Sequence, residues 1–168
     1  MIFFSGFGFA NESALFDEWI DKIEFEAAGF SLGAIGAFER ALLHGERVER
    51  LTLLSPAFFQ DRDDRFRRVQ TLGFIKDSAS YMRNFYALCG ECDPKFYDRD
   101  PKRKDLEFLL NYVWQKERVA AIKNAEIRVV LGGEDRVIDA DKARDFFIDC
   151  GNVEVMWIKK ANHLLRRI

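Results

Sequence analysis

Five residues constrain this chain more than any others: Gly29-Phe30-Ser31-Leu32-Gly33, directly after the run Phe25–Ala28. A G-x-S-x-G pattern between strand-like and helix-like stretches predicts a sharp strand-to-helix turn with the serine hydroxyl exposed above a sheet. The two glycines are expected to let the backbone turn beside Ser31. The next stretch of chain agrees with such a turn. Leu32–His44 has helical character, is rich in alanine where it must approach a sheet closely, and is ended by Gly45. Val48–Ser55 alternates, runs apolar, and is stopped by Pro56. Strand, helix and strand at this spacing form a βαβ unit, hence a parallel sheet with a right-handed crossover.

The same pattern recurs at both ends of the chain. Ile2–Ser5 reads as a short buried strand leading into the turn Gly6-Phe7-Gly8, and Asn11 as the N-cap of a helix carrying Leu15, Phe16, Trp19 and Ile20. Glu126–Leu131 and Val153–Ile158 read as strands, and Ala140–Cys150 as a helix between them. The middle is different. Asp61–Trp114 offers no strand; helices are expected at Arg62–Phe74, at Ser78–Cys89 with Asp77 as cap, and at Lys104–Trp114. A charged loop with two prolines, Asp93–Lys104, separates the last two, and a further helix is expected at Lys116–Lys123. With 168 residues, 48% of them hydrophobic, the chain is expected to form a single α/β domain. Its architecture should be a mostly parallel sheet of about five or six strands, helices on both faces, and a helical lid inserted at 61–114.

Three side chains placed after strand ends have complementary chemistry. A serine hydroxyl needs a base to take its proton, and a histidine can do so near neutral pH when a carboxylate holds its tautomer. Ser31 follows one strand, Asp135 lies four residues past Leu131, and His163 lies five residues past Ile158. The order Ser, Asp, His is that of the α/β-hydrolases. Glu134 and Asp139 rival Asp135 for the acid. His44 rivals His163 for the base, but it sits at the far end of the helix that Ser31 begins, roughly 18 Å away. Two backbone donors are needed for an oxyanion, and the amides of Leu32 and Phe7 are placed for it.

Other features have plainer explanations. Gly6-Phe7-Gly8-x-x-Asn11, with Glu26 downstream, partly matches a dinucleotide fingerprint but lacks the third glycine. Cys89-Gly90-Glu91-Cys92 has no second ligand pair, so no metal site is expected, and no cofactor. An odd count of three cysteines suits a reducing compartment. Net charge −2 gives no reason to expect nucleic acid. No apolar stretch approaches a membrane span, and Met1–Ala10 lacks the basic start of a signal peptide. A cytoplasmic protein is expected. Residues 61–104 carry net +3 and the remainder −5. Arg62, Arg65 and Arg68 recur at helical spacing, a solvated face or a docking patch for an acidic partner beside the site.

The chain resembles the pimeloyl-[acyl-carrier protein] methyl ester esterases of the BioV type, small α/β-hydrolases of biotin synthesis. The resemblance spans the chain and is densest at Phe3-Phe4-Ser5-Gly6-Phe7-Gly8-Phe9, Asn11-Glu12-Ser13, Gly29-Phe30-Ser31, Tyr81-Met82, Asn84-Phe85-Tyr86, Leu106–Leu110 and Asn162-His163-Leu164-Leu165. It implies hydrolysis of the methyl ester of a pimeloyl chain carried on acyl carrier protein. It implies Ser31 as nucleophile, Asp135 as acid and His163 as base, and a lid that recognises an acidic carrier, in keeping with Arg62, Arg65 and Arg68. Phe85 and Tyr86, with Phe66 and Phe74, are candidates to line the acyl channel. Larger hydrolases carry His-Gly where this chain has Ser5-Gly6.

Overall fold

The computed structural model describes residues 1–43 and 47–168. Five parallel strands form one sheet in the order β1 (Ile2–Phe4), β2 (Glu26–Phe30), β3 (Arg50–Leu54), β4 (Glu126–Gly132) and β5 (Val153–Ile158). Each strand lies beside its predecessor in the chain, so every carboxyl end, and every loop that leaves it, is on one rim. The register aligns Phe4 with Gly29, Phe30 with Leu54, Leu54 with Val130, and Gly132 with Ile158.

The strands are mostly apolar because much of the sheet is covered, with Thr52 and Arg128 as interior exceptions on one face. Ala27, Leu51, Ile127 and Val129 share one face, and α1 (Leu32–Leu43) and α6 (Ala140–Asp149) pack there. Gly33, Ala34, Ala37 and Ala41 are the small residues that α1 buries. An aromatic chain, Phe38–Trp114–Phe147, fills the space between α1 and α6. On the other face, Phe16 stacks on Phe3 and meets Phe30. That residue closes a 3₁₀ helix, Glu12–Phe16, which replaces the longer helix expected after Asn11. Asn11 itself is left-handed (φ 58°) and its side chain caps nothing. Toward β4 this face carries exposed ion pairs linking Arg50 and Arg128 to Asp21, Glu126 and Glu154.

The insertion between β3 and β4 is helical, as expected: α2 (Asp64–Lys76), α3 (Ser78–Cys89), α4 (Arg103–Asn111) and the short α5 (Lys116–Ala120). Asp77 caps α3 by accepting from the Ser80 amide. Asp63 caps α2 through the Phe66 amide, so Arg62 lies outside the helix that its spacing with Arg65 and Arg68 predicts. The expected end of α1 at His44 and Gly45 lies outside the described residues. Among the described residues, no helix is long and apolar enough to cross a membrane.

Candidate active site

Three loops leaving the carboxyl rim meet over β2. Ser31 follows β2 with φ 52°, a left-handed conformation that ordinary residues adopt only under constraint. Its amide donates to Leu54 O at 2.9 Å and its carbonyl accepts from Ala34 and Ala57 at 3.1 Å. The elbow glycines serve space rather than rotation, because neither Gly29 nor Gly33 has positive φ. A side chain at Gly29 would run into the Gly33 carbonyl, and one at Gly33 into the Phe4 carbonyl. They let α1 sit directly on the ends of β1 and β2.

Asp135 and His163 come together in the interior. The carboxylate and the imidazole are both fully buried, and His163 Nδ1 lies 2.6 Å from Asp135 Oδ2. Asp135 Oδ1 accepts the amides of Val137 (2.7 Å) and Ile138 (3.1 Å), which fixes the carboxylate's orientation. The imidazole packs on Phe30, the residue before Ser31, with ring centroids 5.1 Å apart. Its other nitrogen, Nε2, is buried with no hydrogen-bond partner. The rivals are occupied elsewhere: Glu134 is exposed, and Asp139 caps α6 through the Lys142 amide. His44 lies outside the described residues.

The third loop follows β1. Phe9 N donates to Gly6 O at 3.0 Å, closing a β-turn whose third residue, Gly8, has φ +76°, as a type II turn requires. The turn leaves the amide of its second residue, Phe7, free for another acceptor. Leu32 opens α1, where first-turn amides have no intrahelical acceptor and the helix dipole favours negative charge.

Ser31 and Phe7 line a cavity of about 160 Å³ between sheet and insertion. Its wall is mostly apolar, including Phe59, Phe66, Phe85 and Leu106, with Arg62 and Arg136 among the polar exceptions. Tyr81, whose hydroxyl donates to Gln70, also faces it, and burial pushes that hydroxyl up to about 12. Arg62 lies over the Phe66 ring at 5.3 Å, 3.5 Å from Asp61. Arg65 and Arg68 are exposed on α2 instead. Phe74 packs behind the cavity on Phe7 and Tyr81. Tyr86 does so too, its hydroxyl donating to Gly8 O at 2.7 Å and its ring stacked on Tyr97. Glu26, the ribose-binding candidate of the dinucleotide reading, is consumed inside the fold by Thr52 Oγ1 and the Lys22 amide, both within 2.8 Å. All three cysteines are free thiols, and burial holds that of Cys89 well above the usual range. Among the described residues, no three potential metal-ligating side chains cluster.

No family model and no curated protein sequence matches the chain. Solved structures do. A lipase-esterase related protein from Clostridium acetobutylicum superposes with TM-score 0.70 over 97% of this chain and 86% of its own, at 12% identity. The esterase EaEST from Exiguobacterium antarcticum gives 0.66 at 18% identity, over 81% of this chain and 58% of its own. The naproxen esterase of Bacillus subtilis gives 0.61 at 20% identity, over 83% and 53%. The fold is the α/β-hydrolase fold. This chain spans little more than half the length of the last two esterases. The expected fold class is therefore present, with five strands, all of them parallel.

Sequence reasoning missed two residues of this region. Glu12 is fully buried beneath the first loop and accepts the Gly6 amide at 2.7 Å. Arg136 lines the cavity one residue past Asp135. Glu12 had a signal: it is the first charged side chain after an uncharged start of eleven residues.

Proposed function

We propose that this protein is a serine carboxylesterase. One observation carries the reading: a buried imidazole, held by a carboxylate through Nδ1 and unpartnered at Nε2, packed on Phe30, the residue before a serine at a strained strand-to-helix turn. In this mechanism His163 Nε2 takes the proton of Ser31 as the hydroxyl attacks the ester carbonyl. The oxyanion is received by the amides of Leu32 and Phe7. His163 then protonates the departing alcohol, leaving an acyl-serine. Water, deprotonated by the same imidazole, releases the acid and restores Ser31. Asp135 stays ionised throughout, holding the tautomer and stabilising the imidazolium.

The substrate we favour is the methyl ester of a pimeloyl chain on acyl carrier protein. The mostly apolar cavity suits a methylene chain, and Arg62 and Arg136 supply cationic groups in its lining. Between α2 and α4, Arg67, Arg68 and Arg103 line a groove beside Leu72 and Ile75; Asp64 pairs with Arg67 and Glu107 with Arg103 there, leaving Arg68 to meet an acidic carrier. A thioesterase cutting the carrier linkage would use the same three residues. The test is incubation with a methyl-capped dicarboxylyl carrier protein followed by mass analysis. Loss of a methyl group with the chain still on the carrier supports the ester reading; a freed chain supports the thioesterase. Absence of both products, together with failure of Ser31 to react with a fluorophosphonate, refutes hydrolase function.

A further inference from the structure

The first loop is secured at four points. Gly6 O accepts Phe9 N; Gly8 O accepts both the Tyr86 hydroxyl (2.7 Å) and the Asp98 amide (2.8 Å); Ala10 N donates to Phe96 O (2.8 Å). The fourth point is unlike the others. Gly6 N is held by a fully buried carboxylate, Glu12 Oε1 at 2.7 Å, whose partner oxygen Oε2 has no hydrogen bond. Burying a carboxylate with half its acceptors empty is unfavourable, and an apolar side chain there would avoid that penalty. Desolvation accordingly raises the Glu12 carboxyl, against the opposing pull of the Gly6 amide and the Ser5 side chain.

Peptide planarity shows what the fourth point does. The Phe7 N–H lies in the Gly6–Phe7 peptide plane, antiparallel to the Gly6 carbonyl. Phe9 N fixes that carbonyl, and Glu12 fixes the preceding peptide through the Gly6 N–H. With both planes set, the direction of the Phe7 N–H is set. Without Glu12, the Phe9 bond alone restrains the turn, and rotation of the Ser5–Gly6 peptide displaces the Gly6–Phe7 plane and the amide it carries. Gly6 itself rests against the Phe30 ring, beside His163.

We propose that Glu12 is the positioning residue of the oxyanion hole, aiming the Phe7 amide through Gly6 without touching substrate. The inference rests on the esterase reading above. The test compares the wild type with Glu12→Gln, Glu12→Asp and Glu12→Ala on p-nitrophenyl butyrate. Competent sites are counted by exhaustive fluorophosphonate labelling, and affinity for a trifluoromethyl ketone is measured in parallel. Gln keeps an acceptor of the same reach and should retain kcat per labelled site to within about threefold. Asp is one methylene short and Ala has no acceptor. Both should lower kcat per site by about 10- to 100-fold, below or at the lower edge of the loss seen when an oxyanion donor is deleted outright. KM should be nearly unchanged, and ketone affinity should fall by the same factor as kcat. If Ala does not fold, Asp carries the comparison. Wild-type kcat per site and ketone affinity in Ala or Asp, with only thermal stability reduced, would overturn the role. A wild type that takes no label refutes the esterase reading instead, and the role falls with it.

Discussion

Gly33 and Gly36 lie one turn apart on α1, and the same substitution should have opposite consequences at the two positions. In a helix interior, Gly→Ala ordinarily gains about 0.8–1.0 kcal/mol. At Gly36 the new methyl would meet the Phe4 ring edge at 2.9 Å, a side-chain atom that can swing aside. Gly36→Ala should therefore be neutral or stabilising by up to about 1 kcal/mol. At Gly33 the methyl would overlap the Phe4 carbonyl and lie 2.7 Å from Ser5 O, main chain of β1 and of the first loop. Those atoms are tied into the sheet and cannot yield without lifting α1. Overpacking of this kind costs about 1–3 kcal/mol or more, which outweighs the propensity gain. The net expectation for Gly33→Ala is a loss of about 1–2 kcal/mol, or several degrees in Tm for a chain of this size. Lifting α1 also moves Leu32 and Ser31, so kcat should fall with it. Paired thermal and urea unfolding of the two variants is the assay. If Gly33→Ala is as stable as Gly36→Ala, close backbone packing is not why the elbow carries that glycine.

Asp135→Asn should lower kcat by about 10⁴-fold. The amides of Val137 and Ile138 keep the oxygen acceptor on their side, so Nδ2 faces His163 Nδ1 and forces the proton onto Nε2. Glu134→Gln, assayed beside it, should leave turnover unchanged. Glu39 is held below the usual carboxylate range, chiefly by its hydrogen bond to Arg118, and also by Tyr112. Its folded value lies below its unfolded one, so its contribution is present above about pH 4.5 and is lost as pH falls through the folded value. Because the pair is about one-third exposed, Glu39→Gln should cost about 1 kcal/mol or less at pH 7. That difference should shrink in urea melts as pH is lowered below about 4.5. Tyr86→Phe should cost about 1 kcal/mol in the same melts, since Gly8 O retains the Asp98 amide.

The parts legible in sequence are those set by local pattern. Val153–Ile158 is a strand over the expected residues, and Ser31, Asp135 and His163 all follow strands on one rim. Both rest on periodicities that survive burial. The misreadings arise where a tertiary partner overrides local propensity. Asn11 has the chemistry of an N-cap, yet Ala10 is bonded to Phe96 and Gly6 to Glu12, so the chain passes through a left-handed residue into a single 3₁₀ stretch. Arg62 matches the spacing of Arg65 and Arg68, but Asp63 takes the cap and starts the helix after it. Spacing cannot reveal which of several acids in a row will satisfy the helix terminus. Tyr86 groups with the channel aromatics in sequence because a phenol and a phenyl ring look alike in a pattern. Its hydroxyl instead finds a carbonyl on a loop 78 residues away.

That distant bond bears on what the helical insertion does. A lid that only gated entry would touch the rim of the cavity and little else. Here α3 reaches two of the three loops of the site. Tyr86 holds Gly8 of the first loop, and three residues later the Cys89 carbonyl accepts the amide of Leu164, next to His163. Gly90, at the C-cap of α3 with φ +110°, lies so close to Asn162 that any side chain would displace it. The first loop and the loop of His163 are thus spaced by one turn of a single helix, which is a more rigid ruler than the loops themselves. In a sheet of five strands, with one face covered by a 3₁₀ turn rather than long helices, the insertion supplies stiffness the frame lacks. Loosening α3 should therefore disorder the site rather than open it.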